Sequence, residues 1–315
     1  MHFARELAAA NGFADRTEFI QRDSRKTELP ERVNVIVSDI RGSLPYFGHA
    51  IASMDDARRR LLAPGGRLIP LRDTLRAAVI EASDFYAKLV SPWEKSGSEL
   101  NLLSALPHLL NASYSSRFAG HQVLTEPQTW SVLDYSADAK PCVAAELTFP
   151  AMRPGTAHGL CLWFETELLP GIGYSSEPGS PDTVYGQVFL PWLQPVRVET
   201  GTEIFVRLQA NLVGEEYIWR WETKVNKDSN DAPCFQQSTF LGANFTSHAL
   251  RRRAADFVPT LSEEGQLDRW FLQSIDGKTS LQQMAQAAVR QFPGNFPRWE
   301  DALSRAAELA RRFSR

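Results

Sequence analysis

Long hydrophobic runs are missing from this 315-residue chain. No apolar stretch approaches the roughly 18 residues that a membrane-spanning helix needs. The N-terminus, MHFARELAAANGFADR, alternates charge with alanine and lacks a signal-peptide core; it reads as a helix already in progress. Cysteine is scarce. Cys142, Cys161 and Cys234 are far apart, none forms a metal-ligand pair, and an odd count argues against a disulfide framework. A reducing cytoplasm is the expected compartment. No His pair has metal-ligand spacing, so no metal is expected. Neither sign of charge dominates: 34 basic and 37 acidic residues leave −3, which favours neither nucleic acid nor an acidic membrane as partner. What remains is globular, with 43% apolar and 23% charged residues, and its length suggests about two domains with an appendage.

Three compositional zones follow one another, with no internal repeat. In residues 1–72, a helix over 3–10 stops at Asn11-Gly12. Thr17–Gln21 is a short strand candidate. The β-branched run Arg32–Ser38 suits a parallel strand buried on both faces. Ile51, Met54, Ala57, Leu61 and Leu62 recur at helical spacing. Ala63-Pro64-Gly65-Gly66 is expected to stop that helix, and a strand to begin at Arg67–Pro70. Residues 73–256 carry short strand-like segments: Leu75–Glu81, Cys142–Thr148, Gly159–Glu165, Thr183–Leu190 and Glu203–Leu208. Aromatic residues concentrate there, and turn clusters separate the segments, an antiparallel sandwich or barrel pattern. Residues 84–112 interrupt it as an inserted helical arm. Residues 257–315 read as a small helical module with apolar stripes at Leu281, Met284, Ala285, Val289 and at Trp299, Leu303, Ala306, Leu309, Phe313. Thr279 or Ser280 is expected to cap its middle helix.

FARELAAANGFADRTEFIQRDSRKTELPERVNVIVSDIRG, DDARRRLLAPGGRLIP and GYSSEPGSPDTVYGQVFLPWLQPVRVETGTEIFVRL, in that order, resemble the protein arginine methyltransferase family over residues 3–225. The most specific part is ELP followed by a hydrophobic strand that ends in Ser38-Asp39 and then Gly42. LDRWFLQSIDGKTSLQQMAQAAVRQFPG resembles, less specifically, the PqqD-like domains that grip leader peptides. The resemblance implies a mixed α+β chain. A partial class I methyltransferase (Rossmann-like) α/β unit leads into an antiparallel β-barrel with an inserted helical arm. A small C-terminal helical, winged-helix-like module ends it.

The resemblance implies S-adenosyl-L-methionine as cofactor and a peptide or protein as substrate. In that fold the cofactor lies at the carboxyl ends of the parallel strands, over a Gly-rich loop after the first strand. Nothing like GxGxG occurs here. The matching begins after the second strand, so the first strand, its loop and the acidic end of the second have no counterpart. Three explanations stand: a misassigned start or cut chain, a second chain supplying the missing half, or a reduced domain in which Thr17–Gln21 pairs directly with Arg32–Ser38. What the resemblance leaves of the cofactor site is Asp23, Ser24 and Arg25 on the adenine side, or else an ordinary solvated turn, with Ser38 at the strand end. The family's two substrate-holding glutamates, which match a guanidinium fork, correspond to Asp39 and to Gly48, which has no carboxylate. Its Thr-His-Trp loop reads Thr183-Val184-Tyr185. Asp39 is therefore the catalytic candidate, orienting or polarising the acceptor, or else a strand-end residue that caps the next loop. The arm at 84–112 is expected to dock on a second copy to form a homodimer, or to pack on its own barrel.

The weaker candidates read as ordinary surface or core. His49 beside Gly48 reads as a surface histidine or else a proton acceptor on that loop, and Asp55 and Asp56 on the next helix are expected to face water. Ser175-Ser176 and Ser38 lack a base partner. Arg251-Arg252-Arg253 reads as a solvated linker, and Trp219 and Trp221 as core. Two readings follow: a methyltransferase of the arginine methyltransferase type, or a non-catalytic binding protein derived from that family.

Overall fold

The computed structural model describes residues 2–94, 101–138, 140–181, 183–226, 233–242, 251, 255–296 and 298–314. The chain forms two compact units, residues 1–244 and 245–315.

The first unit opens with helix α1, His2–Ala10, none of whose residues is buried. Strand β1, Val33–Val37, pairs in parallel with β2, Leu62–Ile69, through helix α2, Ala50–Arg60. Ala50, Ile51, Met54 and Ala57 form the buried stripe of α2. Two expectations fail here. Thr17–Gln21 is not a strand, so no direct pairing with Arg32–Ser38 exists. β1 is not buried on both faces either: Val35 is 50% and Val37 72% exposed, because β1 and β2 stand as a sheet of two strands. A further correction concerns Ala63–Gly66, which lies inside β2 rather than stopping α2. Val33 pairs with Leu62 but Val35 with Arg67, so the Ala-Pro-Gly-Gly segment bulges out of the ladder. Gly65 supplies the positive φ of 76° that this bulge needs.

The remainder of the unit is antiparallel. Strands β3 (Arg72–Ile80), β4 (Tyr114–Ser116), β5 (Gln128–Asp134), β7 (Gly155–Leu169), β8 (Ile172–Ser175) and β9 (Gln187–Val198) make one sheet in the order β4-β9-β7-β3-β5, with β8 beside β7. Strands β6 (Val143–Pro150), β10 (Glu203–Val213), β11 (Glu216–Val225) and β12 (Cys234–Ser238) make a second, in the order β12-β11-β10-β6. Alternation along these strands sends one set of side chains, including Leu75, Phe164, Leu208, Trp219 and Trp221, into a core shared by both sheets. Gly159 of β7 lies so near β9 that a Cβ there would sit 2.3 Å from the Leu190 carbonyl oxygen.

The loop after β1 is drawn into this core. Leu44 and Tyr46 are buried, and the Tyr46 carbonyl accepts a hydrogen bond of 3.2 Å from the Trp219 indole. This contact fixes the carboxyl end of β1 against the antiparallel sheets. The inserted arm contains helix α3, Ser83–Glu94, and helix α4, Leu106–Leu110. Tyr86, Val90 and Leu110 bury one another, and the Tyr86 hydroxyl donates to the Trp192 carbonyl of β9. Helix α5, Thr239–Gly242, follows β12.

The second unit packs three helices, α6 (Glu263–Gln273), α7 (Leu281–Gln291) and α8 (Trp299–Phe313), around Phe271, Met284, Ala285, Ala288, Ala302 and Ala306. Small residues at the facing positions let the helices approach closely. Ser280 is the cap of α7 and forms a reciprocal capping box with Gln283. Thr279 instead closes the preceding turn with Asp276, whose carboxylate accepts from the Lys278 and Thr279 amides at 2.8 and 2.7 Å.

Candidate active site at the end of the parallel strands

The carboxyl end of β1 faces a row of polar side chains. In register, Asp73 of β3 lies opposite Thr166 of β7, and Thr166 lies opposite Tyr174 of β8. Cross-strand neighbours on one face touch, so these three side chains form a continuous strip. Arg41, four residues beyond β1, is laid along it. Its Nη1 donates to Asp73 Oδ1 at 3.0 Å and to Thr166 Oγ1 at 3.1 Å, and its Nη2 to the Tyr174 hydroxyl at 2.5 Å. The guanidinium stacks 4.3 Å from the centre of the Phe164 ring, with Tyr174 and Tyr185 farther out. Tyr135 closes the strip by donating to Asp73 Oδ2 at 2.7 Å. Arg41 is 5% exposed and Asp73 fully buried. Burial works against the Arg41 charge, but the Asp73 carboxylate together with Tyr174 and Tyr135 outweighs it and holds the guanidinium above its ordinary range. Burial, together with Asp73, pushes the Tyr135 phenol far up.

Asp39 sits at the mouth of this strip and is exposed. The Tyr185 hydroxyl donates a short hydrogen bond to Asp39 Oδ1. Burial first, and then the Asp39 carboxylate, raise the Tyr185 phenol. Tyr185 stacks on Tyr174, with ring centres 6.3 Å apart and planes at 18°. The two segments singled out in the sequence, Ser38-Asp39 and Thr183-Val184-Tyr185, are thus brought together although they lie 146 positions apart at the hydrogen bond. Val184 points away and is 86% exposed.

The other predicted residues fall apart into two groups. Asp23, Ser24 and Arg25 form one turn in which both Asp23 oxygens accept from Arg25, holding the Asp23 carboxyl at about 2. Arg60 of α2 clasps this turn through the Ser24 carbonyl at 2.7 Å and through the Thr27 carbonyl. Ser38 instead lines a small cavity of about 10 Å³ with Arg41, Met54 and Tyr135, room for one water. Asp23, Ser24 and Arg25 thus share one turn, and Ser38 lines a separate small cavity. Gly48 and His49 lie exposed before α2. Asp55 pairs with Arg58 and Arg59, and Asp56 with Arg60, so both acids are half-buried and engaged rather than simply solvated. Ser176 is buried and Trp219 and Trp221 are core. Arg252 and Arg253 lie outside the described residues. Arg41, Asp73, Tyr135, Thr166 and Tyr174 were not anticipated. The one available signal was an arginine two places after Asp39 within the most specific resembling segment.

Among the described residues no group of three or more His, Cys, Asp or Glu is placed to hold a metal, and no helix is long and apolar enough to cross a membrane. The three cysteines are free.

No protein-family model matches the chain. It is 31% identical to protein arginine N-methyltransferase 2 of Mus musculus, over 62% of this chain and 47% of that protein. Its relatives are protein arginine N-methyltransferases. It is also 28% identical to a probable protein arginine N-methyltransferase 6 of Arabidopsis thaliana, over 52% of this chain and 39% of that one. A third, an arginine N(omega)-methyltransferase of Streptomyces achromogenes subsp. streptozoticus, is 26% identical over 65% of this chain and 58% of its own length. The chain spans about half the length of the curated relatives it matches. Among solved structures, the Trypanosoma brucei PRMT1 enzyme–prozyme complex with AdoHcy matches with a TM-score of 0.65 at 19% identity, over 75% of this chain and 76% of that one. Arabidopsis thaliana protein arginine methyltransferase 10 matches with a TM-score of 0.62 at 18% identity, over 75% and 78%. The structural likeness shows the fold, a Rossmann-like methyltransferase layer joined to a barrel-type antiparallel domain. The resemblance of residues 3–225 to the protein arginine methyltransferase family, named from the sequence, stands.

Proposed function

We propose that the chain carries the acceptor side of an S-adenosyl-L-methionine-dependent methyltransferase of the protein arginine methyltransferase type, acting on a peptide or protein. The observation that supports this is the Tyr185–Asp39 hydrogen bond, which sets a barrel-side hydroxyl against the carboxylate at a parallel-strand end. In this reading residues 1–72 are the partial cofactor domain. Residues 73–256 are a closed substrate and dimerisation barrel whose arm at 84–112 meets a second copy. Residues 257–315 are a PqqD-like, winged-helix-like module that presents a peptide. S-adenosyl-L-methionine supplies the methyl group when bound; Asp23, Ser24, Arg25 and Ser38 contribute only an edge to its site. The chain's own part is positional. Asp39 orients the acceptor through its free lone pairs, Tyr185 fixes the carboxylate, and the Arg41 strip holds the strand end against the sheet.

A second reading, a non-catalytic peptide-binding protein, is favoured by Gly48, which leaves Asp39 without a second carboxylate beside it. Calorimetric titration of S-adenosylmethionine and S-adenosylhomocysteine into the chain separates the two. Saturable micromolar binding supports the methyltransferase reading, with the site completed by a second copy or a rearranged sheet. A folded chain that binds neither excludes catalysis by this chain alone and leaves the cut-chain and binding-protein readings.

A further inference from the structure

A second concavity lies beside β2 and shares no lining residue with the Asp39 site. It measures about 440 Å³, within the range of small-molecule sites. Its walls are Leu62 and Leu68 of β2, Leu71 after it, and Leu169 at the turn between β7 and β8. Arg58 and Arg67 stand among these leucines, and no acidic residue lines the cavity.

The β2 bulge shapes this cleft. A Cβ on Gly66 would meet Leu62 Cδ1 at 2.7 Å, so the glycine is what lets Leu62 turn back into the wall. The two arginines differ in their surroundings. Arg58 is neutralised, its Nη2 pairing with Asp55 at 2.9 Å and with Asp138. Arg67 makes no ion pair and no side-chain hydrogen bond among the described residues, and it is exposed at the rim. One unneutralised guanidinium therefore stands over a largely aliphatic cleft with no carboxylate in its lining.

We infer that this cleft binds an organic monocarboxylate with an aliphatic body, the carboxylate paired with Arg67 and the body laid against Leu62, Leu68, Leu71 and Leu169. The guanidinium fork matches a carboxylate in two parallel hydrogen bonds. The four leucines match an unbranched aliphatic chain. The inference is independent of the cofactor reading, since no residue is shared between the two sites.

The test is calorimetric titration of the full chain with octanoate, octanol and octylamine as probes at low salt. Octanoate is expected to saturate one site at least tenfold more tightly than either of the others. Arg67→Met is expected to lower octanoate affinity at least tenfold and leave octanol unchanged. Leu169→Trp, at a half-exposed turn position, is expected to fill the cleft and abolish octanoate binding. Both positions lie at the rim, and near-UV circular dichroism checks that each variant keeps the parent fold. The inference is overturned if octanoate shows no saturable binding or binds no better than octylamine. Octanoate binding that survives Arg67→Met unchanged overturns it equally.

Discussion

Replacing Arg41 by leucine tests the polar strip most directly. The substitution leaves Asp73, which is fully buried, with a single donor: it loses the guanidinium at 3.0 and 3.4 Å and keeps the Tyr135 hydroxyl at 2.7 Å. Stranding one member of a buried ion pair costs about 3–5 kcal/mol. Loss of the stacking on Phe164, 4.3 Å away, adds on the order of 1 kcal/mol. A total of about 4–6 kcal/mol, divided by a urea m-value of about 3 kcal/mol/M, lowers the unfolding midpoint by about 1.3–2 M. The assay is urea unfolding followed by tryptophan fluorescence, since Trp130, Trp219 and Trp221 are buried in the core that the strip borders. The double variant Arg41→Leu/Asp73→Asn removes both charges and keeps an amide oxygen for Tyr135, so it is expected to recover at least half of the loss. A midpoint shift below about 0.3 M for Arg41→Leu, or a double variant destabilised by the sum of the two single losses, refutes the reasoning.

Tyrosine titration gives a second check. Burial raises the phenols of Tyr46, Tyr86, Tyr114, Tyr135, Tyr185 and Tyr217, six of the seven tyrosines. Their stabilising contribution is complete below the unfolded value near 10 and is lost as pH rises through the folded values, so urea midpoints are expected to fall above about pH 10. Absorbance at alkaline pH will show most phenolate appearing only as the chain unfolds. His158 works in the opposite direction. Burial lowers its pKa, and its Nδ1 accepts from the Ala82 amide at 3.2 Å, so the unfolded chain takes up the proton first. Stability is therefore expected to decline as pH falls below about 6.5, and His158→Gln to flatten that slope in thermal melts. In the second unit, Ser280→Ala removes the capping box of α7 at a cost of about 1 kcal/mol, which hydrogen exchange will read as roughly fivefold faster opening of the first-turn amides.

Much of the fold was open to reading from pattern alone. The strands of β3, β6, β7, β9 and β10 carry alternating or continuous apolar side chains, and α2 and the three C-terminal helices carry clean stripes, so each shows its period. β5 escaped because its buried positions, Trp130 and Leu133, are separated by two partly exposed residues and break strict alternation. Thr17–Gln21 has strand composition but no neighbour to pair with, and composition without a ladder does not make a strand. At the site, Asp39 and Tyr185 were each identifiable within a resembling segment. Their contact was not, because it depends on how the loop after β1 enters the core at Tyr46. The Arg41 strip was less visible still. It is a property of register: Asp73, Thr166 and Tyr174 are neighbours only because three strands align them, and no spacing along the chain encodes that.

The two-stranded sheet of β1 and β2 carries a consequence for handling the protein. One edge of β1 has no strand beside it among the described residues, and Val35 and Val37 lie exposed along it. Phe3 and Leu7 of α1 add further uncovered apolar surface, at 71% and 48% exposed. An open, valine-bearing edge pairs readily with the same edge of another molecule. Self-association through this edge is expected to rise with concentration in sedimentation velocity, and Val37→Lys to suppress it.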